Sequence, residues 1–225
     1  MTDASPLFDR IRRSLHTAVI GDVMDAMGLT HQFLPPAIRA LRPDDMLVGR
    51  AMPVLEADCA GDREGHSGRE AAFGLMFDAL DALAPGEVYI CTGASLRYAL
   101  WGELMTARAE TLGAAGAVVD GFHRDTRGLL RQSLPVFSHG AYAQDQRMRG
   151  RVIDYRCPIE FGNGTRVMPG DVIVGDIDGV LTIPQDRLAE VVEAAVAKVD
   201  GEIAVQKMIE GGRATRTIFD ETGIM

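Results

Sequence analysis

The segment that most restricts the fold is a strand, a helix and a second strand in the middle of the chain. "EVYICTG" at 87–93 is an apolar strand, and a helix is predicted from Gly102 to Gly113, where a glycine ends it. "AAGAVVDG" at 114–121 is the second strand. Two parallel strands joined in this way place the helix N-terminus and both strand C-termini along one edge of the sheet. The unit predicts an α/β protein with charged residues gathered at that edge.

The lengths of the three elements agree with this arrangement. About 12 helical residues descend roughly 18 Å, and five or six strand residues climb back about the same distance. Glu103 lies at the helix start, and Arg124 and Asp125 follow the second strand. Although 20 residues separate Glu103 from Arg124, we expect the three side chains to meet.

Two interpretations of Arg124 and Asp125 are open. A surface ion pair beside a turn-forming aspartate contributes little. Alternatively, Glu103 and Asp125 supply oxygen donors that suit Mg²⁺ or Mn²⁺, and the amides of residues 103 to 105 bind a substrate carboxylate at the helix start, which follows Gly102. Arg124 and the metal would then stabilise a developing enolate. This combination predicts a site for a 2-oxo acid.

The rest of the chain is predicted from its local patterns. An amphipathic helix ends at Gly28, and a charged, glycine-rich loop contains His66. From residue 134 onward, turn residues recur at spacings typical of hairpins or a barrel-like layer, and "VGDIDGV", with Asp176 and Asp178, is a hairpin turn rather than a metal site. Three further segments are a strand pair broken at Gly49 ("MLVGRAMPVLEAD"), a helix ("REAAFGLMFDALDAL") and an alanine-rich C-terminal helix.

Composition excludes several classes of protein. The net charge of −9 argues against non-specific nucleic-acid binding, and Cys59, Cys91 and Cys157 lack the spacing of a disulfide framework or a zinc site. No apolar run is long enough to span a membrane and the N-terminus does not resemble a secretory signal, so a cytoplasmic protein is expected. The lysines are Lys198 and Lys207, both in the C-terminal helical stretch. A Schiff-base mechanism, which needs an activated lysine, is therefore not favoured, and chemistry at a carbonyl group would need a metal.

Two blocks of sequence resemble a known family. "WGELMTARAETLGAAGAVVDGFHRDTRGLLRQSLPVFSHG" and "PGDVIVGDIDGVLTIP" are similar to the RraA-like family, which includes the 4-hydroxy-4-methyl-2-oxoglutarate aldolases, class II pyruvate aldolases. The resemblance spans roughly residues 15 to 210. The family's signature is an acidic residue, 20 intervening positions and then Arg-Asp, which here are Glu103, Arg124 and Asp125.

The resemblance implies a role for each site residue. Asp125 would hold the divalent metal, Mg²⁺ or Mn²⁺, and Arg124 would bind the keto oxygen. The segment from Gly102 through Leu104 to Met105 would bind the substrate carboxylate through its amides. Glu103 would act through a water on the metal, although the aldolases usually carry Asp there.

Two more positions are compared with the family. Glu202 is the nearest match to a glutamate that reaches the aldolase site from a neighbouring subunit, and a solvated helix residue is the alternative. His123 stands where the family more often has a small or apolar residue. It would either contact the distal part of a substrate or point to solvent.

The fold and activity implied by the resemblance are specific. Residues 1–225 would form a single α/β domain, a swivelling β/β/α sandwich of the phosphohistidine-domain type, assembled as a homotrimer or a hexamer. The activity would be a metal-dependent lyase that cleaves a 4-hydroxy-2-oxo acid, of the 4-hydroxy-4-methyl-2-oxoglutarate or 4-carboxy-4-hydroxy-2-oxoadipate type, to pyruvate. Oxaloacetate decarboxylation would proceed through the same enolate. The alternative is a non-catalytic regulator that binds and inhibits a ribonuclease.

Overall fold

A computed structural model describes residues 5–59 and 72–224. Beyond Cys59, the predicted loop that contains His66 is not among the described residues. The helices of the described part are α1 Ser5–Ser14, α2 Thr17–Ala26, α3 Met76–Asp81, α4 Glu103–Thr111, α5 Thr126–Leu129, α6 Leu188–Glu210 and α7 Thr215–Thr222. The strands are β1 Arg39–Ala40, β2 Leu47–Asp58, β3 Glu87–Thr92, β4 Ala99–Trp101, β5 Gly116–Val119, β6 Phe122–His123, β7 Val136–Ser138, β8 Gly150–Tyr155, β9 Ile159–Glu160, β10 Arg166–Val167, β11 Val172–Asp176 and β12 Gly179–Ile183. Among the described helices, none is both long and apolar enough to cross a membrane.

One nearly closed, barrel-like sheet forms the centre of the molecule. Its strands lie in the order β1, β7, β5, β3, β2, β11 and β12, and β8 pairs with the second half of β2. The four adjacent strands β7, β5, β3 and β2 run parallel to one another. The other pairs of this sheet are antiparallel. The α/β class is confirmed, as is the parallel pairing of the two strands around α4.

The predicted break at Gly49 is wrong. Residues 47–58 form one continuous strand, and Gly49 pairs with Ile173 inside it. A Cβ at Gly49 would lie 2.7 Å from the Cβ of Ala115 and 2.7 Å from the carbonyl oxygen of Gly86. The glycine is therefore explained by the close approach of neighbouring backbone, which is the other common reason for a glycine in a strand.

The helix predicted across "REAAFGLMFDALDAL" is shorter than expected. Its first residues lie outside the described part, and α3 begins only at Met76. Phe73 and Gly74 have φ values of 70° and 64°, which a right-handed helix cannot contain. A Cβ at Gly74 would also collide with the carbonyl oxygen of Val152. The contact with β8 therefore interrupts the helix where the apolar spacing alone would continue it.

The second half of the chain follows the predicted pattern of hairpins. β9 pairs with β10 and β11 pairs with β12, both antiparallel. The "VGDIDGV" turn joins β11 to β12, and Asp176 is a structural anchor, because its carboxylate accepts hydrogen bonds from the backbone N–H and the hydroxyl of Thr17, each at 2.7 Å. The bond to the N–H satisfies one of the free donors at the start of α2.

Helices cover the sheet in two groups. α3 and α4 pack over one apolar cluster, which includes Leu80 and Ala109. α1, α2 and the alanine-rich α6 pack together over another, which includes Ile20 and Val191. Each fully buried aliphatic side chain contributes roughly 1.5–3 kcal/mol. This packing fixes α4, whose first residue begins the candidate site.

Candidate active site

Two short strands bring the predicted site residues together. β4 runs directly into α4, β6 runs directly into Arg124, and the two strands pair in parallel, with Trp101 opposite His123. The N–H of Arg124 donates to the carbonyl oxygen of Trp101 at 2.9 Å. The start of α4 and the Arg124-Asp125 pair therefore lie side by side. They meet at the edge predicted from the strand-helix-strand unit, although β4 and β6 form a small sheet of their own.

Gly102 permits the close contact between these two segments. It is the N-cap residue of α4, with no side chain to accept from the first helical N–H groups. A Cβ at this position would lie 2.9 Å from Oδ2 of Asp125 and 3.5 Å from Cγ of Arg124. Any larger residue would push the two charged side chains away from the helix start. Glycine leaves the first backbone N–H groups of α4 open to an anion.

Asp125 has an unusual backbone conformation for a residue with a side chain. Its φ and ψ are 58° and 36°, in the left-handed region that aspartate enters more readily than most residues. Asp125 is the N-cap residue of α5, yet its carboxylate makes no capping hydrogen bond. Its Oδ2 lies 3.6 Å from Nε of Arg124. The carboxylate is therefore held at the cavity, where its oxygens are available to a ligand.

Asp145 is a member of the site that the sequence did not indicate. Nη1 of Arg124 donates to Oδ1 of Asp145 at 2.7 Å, whereas Asp125 lies nearest Nε of the same guanidinium. Asp145 lies in the loop between β7 and β8, 20 residues after Asp125, with no motif around it. A carboxylate partner for Arg124 could be expected from its charge. The local sequence does not place this loop at the edge of the sheet, because only long-range contacts bring it there.

A cavity of about 400 Å³ opens at this point. Arg124, Asp125 and Asp145 line one end of it, next to Gly102, and side chains from α3 and α4 line the other. The volume lies within the range of small-molecule sites. Leu104 and Met105, predicted with Gly102 to bind a carboxylate through their amides, both line this cavity.

Glu103 is directed away from the cavity lining. Its carboxylate lies against Gly128 of α5, where a Cβ would collide with it, and one of its oxygens is 3.7 Å from Nη2 of Arg131. Glu103 and Asp125 are thus on the same side of the molecule, but the glutamate side chain packs over α5. Its predicted role through a water stays a prediction.

The residues of the site can hold a hard divalent cation through one protein carboxylate, with water as the remaining ligands. No cluster of three His, Cys, Asp or Glu side chains with metal-ligand geometry occurs in the described residues. Magnesium commonly keeps several waters and uses one or two protein carboxylates, and Asp125 offers such a carboxylate. Asp125 is therefore the residue that would hold Mg²⁺ or Mn²⁺.

Glu202 and His123 lie outside the cavity lining. Glu202 is on α6, where it lies 3.6 Å from Lys198 of the same helix, and a contribution to a neighbouring subunit's site stays a prediction. His123 is 3% exposed, and its ring nitrogens contact the hydroxyls of Ser138 at 2.7 Å and Thr126 at 3.1 Å. The expectation that His123 points to solvent is wrong, because the ring is buried, and burial lowers its pKa. Its two hydroxyl contacts link β6, β7 and α5, and contact with a substrate stays a prediction.

A buried carboxyl group lies behind the cavity and was also missed. Glu56 on β2 is 2% exposed, and its Oε2 accepts from Nε2 of Gln146 at 2.7 Å. Gln146 itself lines the cavity beside Asp145. Burial raises the pKa of Glu56 to about 8, so the group is mostly protonated at pH 7. This neutral carboxyl group anchors the loop that carries Asp145.

Comparison with known proteins identifies the family. Residues 17–182 match the sequence model of the Aldolase/RraA family. The chain belongs to the RraA-like family. A protein of Halalkalibacterium halodurans named "Putative 4-hydroxy-4-methyl-2-oxoglutarate aldolase" is 33% identical over 88% of this chain and 86% of its own length.

Solved structures share the fold of this chain. An uncharacterized protein from Pseudomonas syringae superposes with a TM-score of 0.83 at 25% identity, covering 96% of this chain and 94% of the other. RraAS2 of Streptomyces coelicolor, described as an unusual member of the RNase ES inhibitor RraA protein family, has a TM-score of 0.78 at 21% identity, covering 92% of this chain and 98% of its own. The RraA-like fold predicted from the sequence is confirmed.

Proposed function

We propose that this RraA-like protein is a divalent-metal-dependent lyase that cleaves a 4-hydroxy-2-oxo acid to pyruvate and decarboxylates oxaloacetate as a side reaction. The observation that carries the proposal is the convergence of Gly102, Arg124 and Asp125 on one cavity at the start of α4. The aldolase name of the Halalkalibacterium relative supports it.

Each group at the polar end of the cavity has a chemical task. The open N–H groups at the start of α4 donate to the substrate carboxylate. Arg124 keeps N–H groups beyond the one given to Asp145, and these donate to the keto oxygen as negative charge develops on it. A divalent cation held by Asp125 would supply Lewis-acid polarisation of the keto group.

The bond changes balance without a further reactant. Loss of the C4 hydroxyl proton lets the C3–C4 bond break, and its electron pair moves to C3 and the keto oxygen as the enolate of pyruvate. Protonation at C3 gives pyruvate, and C4 leaves as a carbonyl. In oxaloacetate the bond from C3 to the departing carboxylate breaks instead, with release of CO₂ and the same enolate.

Metal dependence is the first test. We expect the protein to release pyruvate from oxaloacetate with Mn²⁺ or Mg²⁺, and excess chelator to abolish the release, because the enolate loses its counter-charge. The measurement is coupled pyruvate reduction, with a protein-free blank at the same free metal concentration, since metal ions alone decarboxylate oxaloacetate. Release no faster than the blank, with tight binding to a ribonuclease, would instead support the non-catalytic regulator.

Gly128 offers a test of Glu103 that leaves the charge of the site unchanged. In Gly128→Ala the new methyl group takes the space of the Glu103 carboxylate. In the predicted role of Glu103 through a water, displacement of the carboxylate by about an ångström can cost up to roughly a hundredfold in rate. We expect pyruvate release to fall about tenfold or more, and the thermal midpoint to change by less than about 3 °C, since Glu103 can rotate away and alanine suits a helix.

The matched control is the same change in a protein without the Glu103 carboxylate. If Gly128→Ala acts through Glu103, it should have little further effect on activity in a Glu103→Ala background. Equal losses in both backgrounds would show that Gly128 affects activity by another route. An active Glu103→Ala protein would remove Glu103 from the reaction.

A further inference from the structure

The cavity has a second end whose chemistry differs from that of the first. Its walls there are apolar side chains from α3, from the residues before it and from the first turn of α4, namely Phe73, Met76, Phe77, Leu80, Leu104 and Met105. The rings of Phe73 and Phe77 contact edge to face, with centroids 5.7 Å apart. Phe77 and Leu104 are 56% and 84% exposed. Large apolar side chains held open to solvent at a cavity mouth are typical of a surface that binds an apolar group.

The charges of the lining work against a second anionic group. The described lining contains two arginines, Arg108 and Arg124, and three aspartates, Asp81, Asp125 and Asp145. Both arginines have a carboxylate partner, since Nε of Arg108 donates to Asp81 at 2.7 Å and Nη1 of Arg124 donates to Asp145 at 2.7 Å. The formal charge of this lining is −1. A divalent cation would bring it to +1, which one substrate carboxylate neutralises.

Among the described residues of the lining, a second substrate carboxylate would therefore meet no cation that lacks a carboxylate partner. It would lie among phenyl and aliphatic side chains beside the Arg108–Asp81 ion pair, where it would compete with Asp81 for Arg108 and where an unpaired charge is costly. The first carboxylate and the keto oxygen belong at the start of α4 and at Arg124, and the cavity that continues from there between α3 and α4 has room for the group attached to C4. An apolar group of a few carbons gains from burial there.

We infer that the substrate is a 4-hydroxy-2-oxo monocarboxylate whose C4 substituent is aliphatic or aromatic, so that cleavage releases pyruvate and an apolar aldehyde or ketone. This inference rests on the proposed lyase function. The inferred substrate differs from 4-hydroxy-4-methyl-2-oxoglutarate, the compound in the name of the Halalkalibacterium relative. That compound carries a second carboxylate at C4.

Two substrates of nearly equal shape test the inference. One is 4-hydroxy-4-methyl-2-oxoglutarate, and the other is 4-hydroxy-4,5-dimethyl-2-oxohexanoate, in which an isopropyl group replaces the second carboxylate. We expect the protein with Mn²⁺ to show a kcat/KM at least about tenfold higher for the isopropyl compound, within the range that a few apolar contacts give. Pyruvate is measured, with two molecules counted for each cleavage of the dicarboxylate and one for each cleavage of the other.

Phe77→Arg and Phe77→Leu separate charge from shape. Phe77→Arg places an unpaired cation in the apolar wall and should shift the ratio of the two kcat/KM values at least about tenfold towards the dicarboxylate. Phe77→Leu keeps the wall apolar and should shift it less than about threefold. Wild-type protein that favours the dicarboxylate while decarboxylating oxaloacetate would overturn the inference and leave the lyase in place. No pyruvate from any of the three substrates would overturn both.

Discussion

Replacement of Asp125 by asparagine should lower pyruvate release by a factor of about 10³ or more, which corresponds to about 4 kcal/mol of lost transition-state stabilisation. Asparagine has nearly the same shape as aspartate and is equally suited to the left-handed conformation at this position. It lacks the negative charge that a divalent cation requires. The variant therefore removes a ligand and preserves the backbone around it.

Activity and metal binding should fall together in this variant. Titration with Mn²⁺, followed by the paramagnetic signal of the free ion, gives the affinity independently of turnover. The thermal midpoint should change little, because the Asp125 carboxylate makes no capping hydrogen bond whose loss would destabilise α5. An Asp125→Asn protein that binds Mn²⁺ as wild type does would refute the assignment of the metal to Asp125.

Asp145→Asn is the matched control for this experiment. It removes the same charge from the same end of the cavity, but Asp145 contacts Arg124 and was not assigned to the metal. We expect Mn²⁺ affinity to change less than about threefold, and KM to rise about tenfold as Arg124 loses the charge-assisted hydrogen bond that orients it. A loss of metal affinity equal to that of Asp125→Asn would show that the two carboxylates bind the ion as a pair.

The part of the site that could be predicted lies within one strand-helix-strand unit. The apolar runs before and after α4, together with the glycines at its ends, determined which residues reach the same edge. β4 and β6 were not predicted, because strands of three and two residues have almost no pattern of their own. They exist through their pairing with each other, in which Trp101 lies opposite His123.

Residues that join the site through tertiary contacts gave weaker signals. Asp145 comes from a loop whose sequence fixes no position relative to α4. Glu56 did leave a signal: Met52 and Val54 belong to the apolar cluster under α3 and α4, and Glu56 continues their spacing of two along β2. A carboxyl group on the buried face of a strand predicts a neutral group or a partner, and the structure gives Glu56 both.

Glu56→Gln should make the protein more stable at neutral and alkaline pH. Burial raises the pKa of Glu56 from 4.5 to about 8, and a hydrogen bond from Gln146 opposes the shift only in part. Between these two values the unfolded chain releases the proton and the folded chain keeps it. The contribution of Glu56 to the free energy of unfolding therefore falls as pH rises from about 4.5 to about 8, and the loss at pH 7 is about 3 kcal/mol.

Glutamine carries no charge at any pH and can accept the same hydrogen bond from Gln146. The expected difference between Glu56→Gln and wild type is therefore small near pH 4.5 and reaches about 3 kcal/mol in favour of the variant near pH 7. Urea unfolding of both proteins at pH 5, 6, 7 and 8 measures it, because groups that titrate alike in the two proteins cancel in the difference. A difference that stays constant across this range would mean that Glu56 is ionised in the folded protein, with a counter-charge that the contact with Gln146 does not supply.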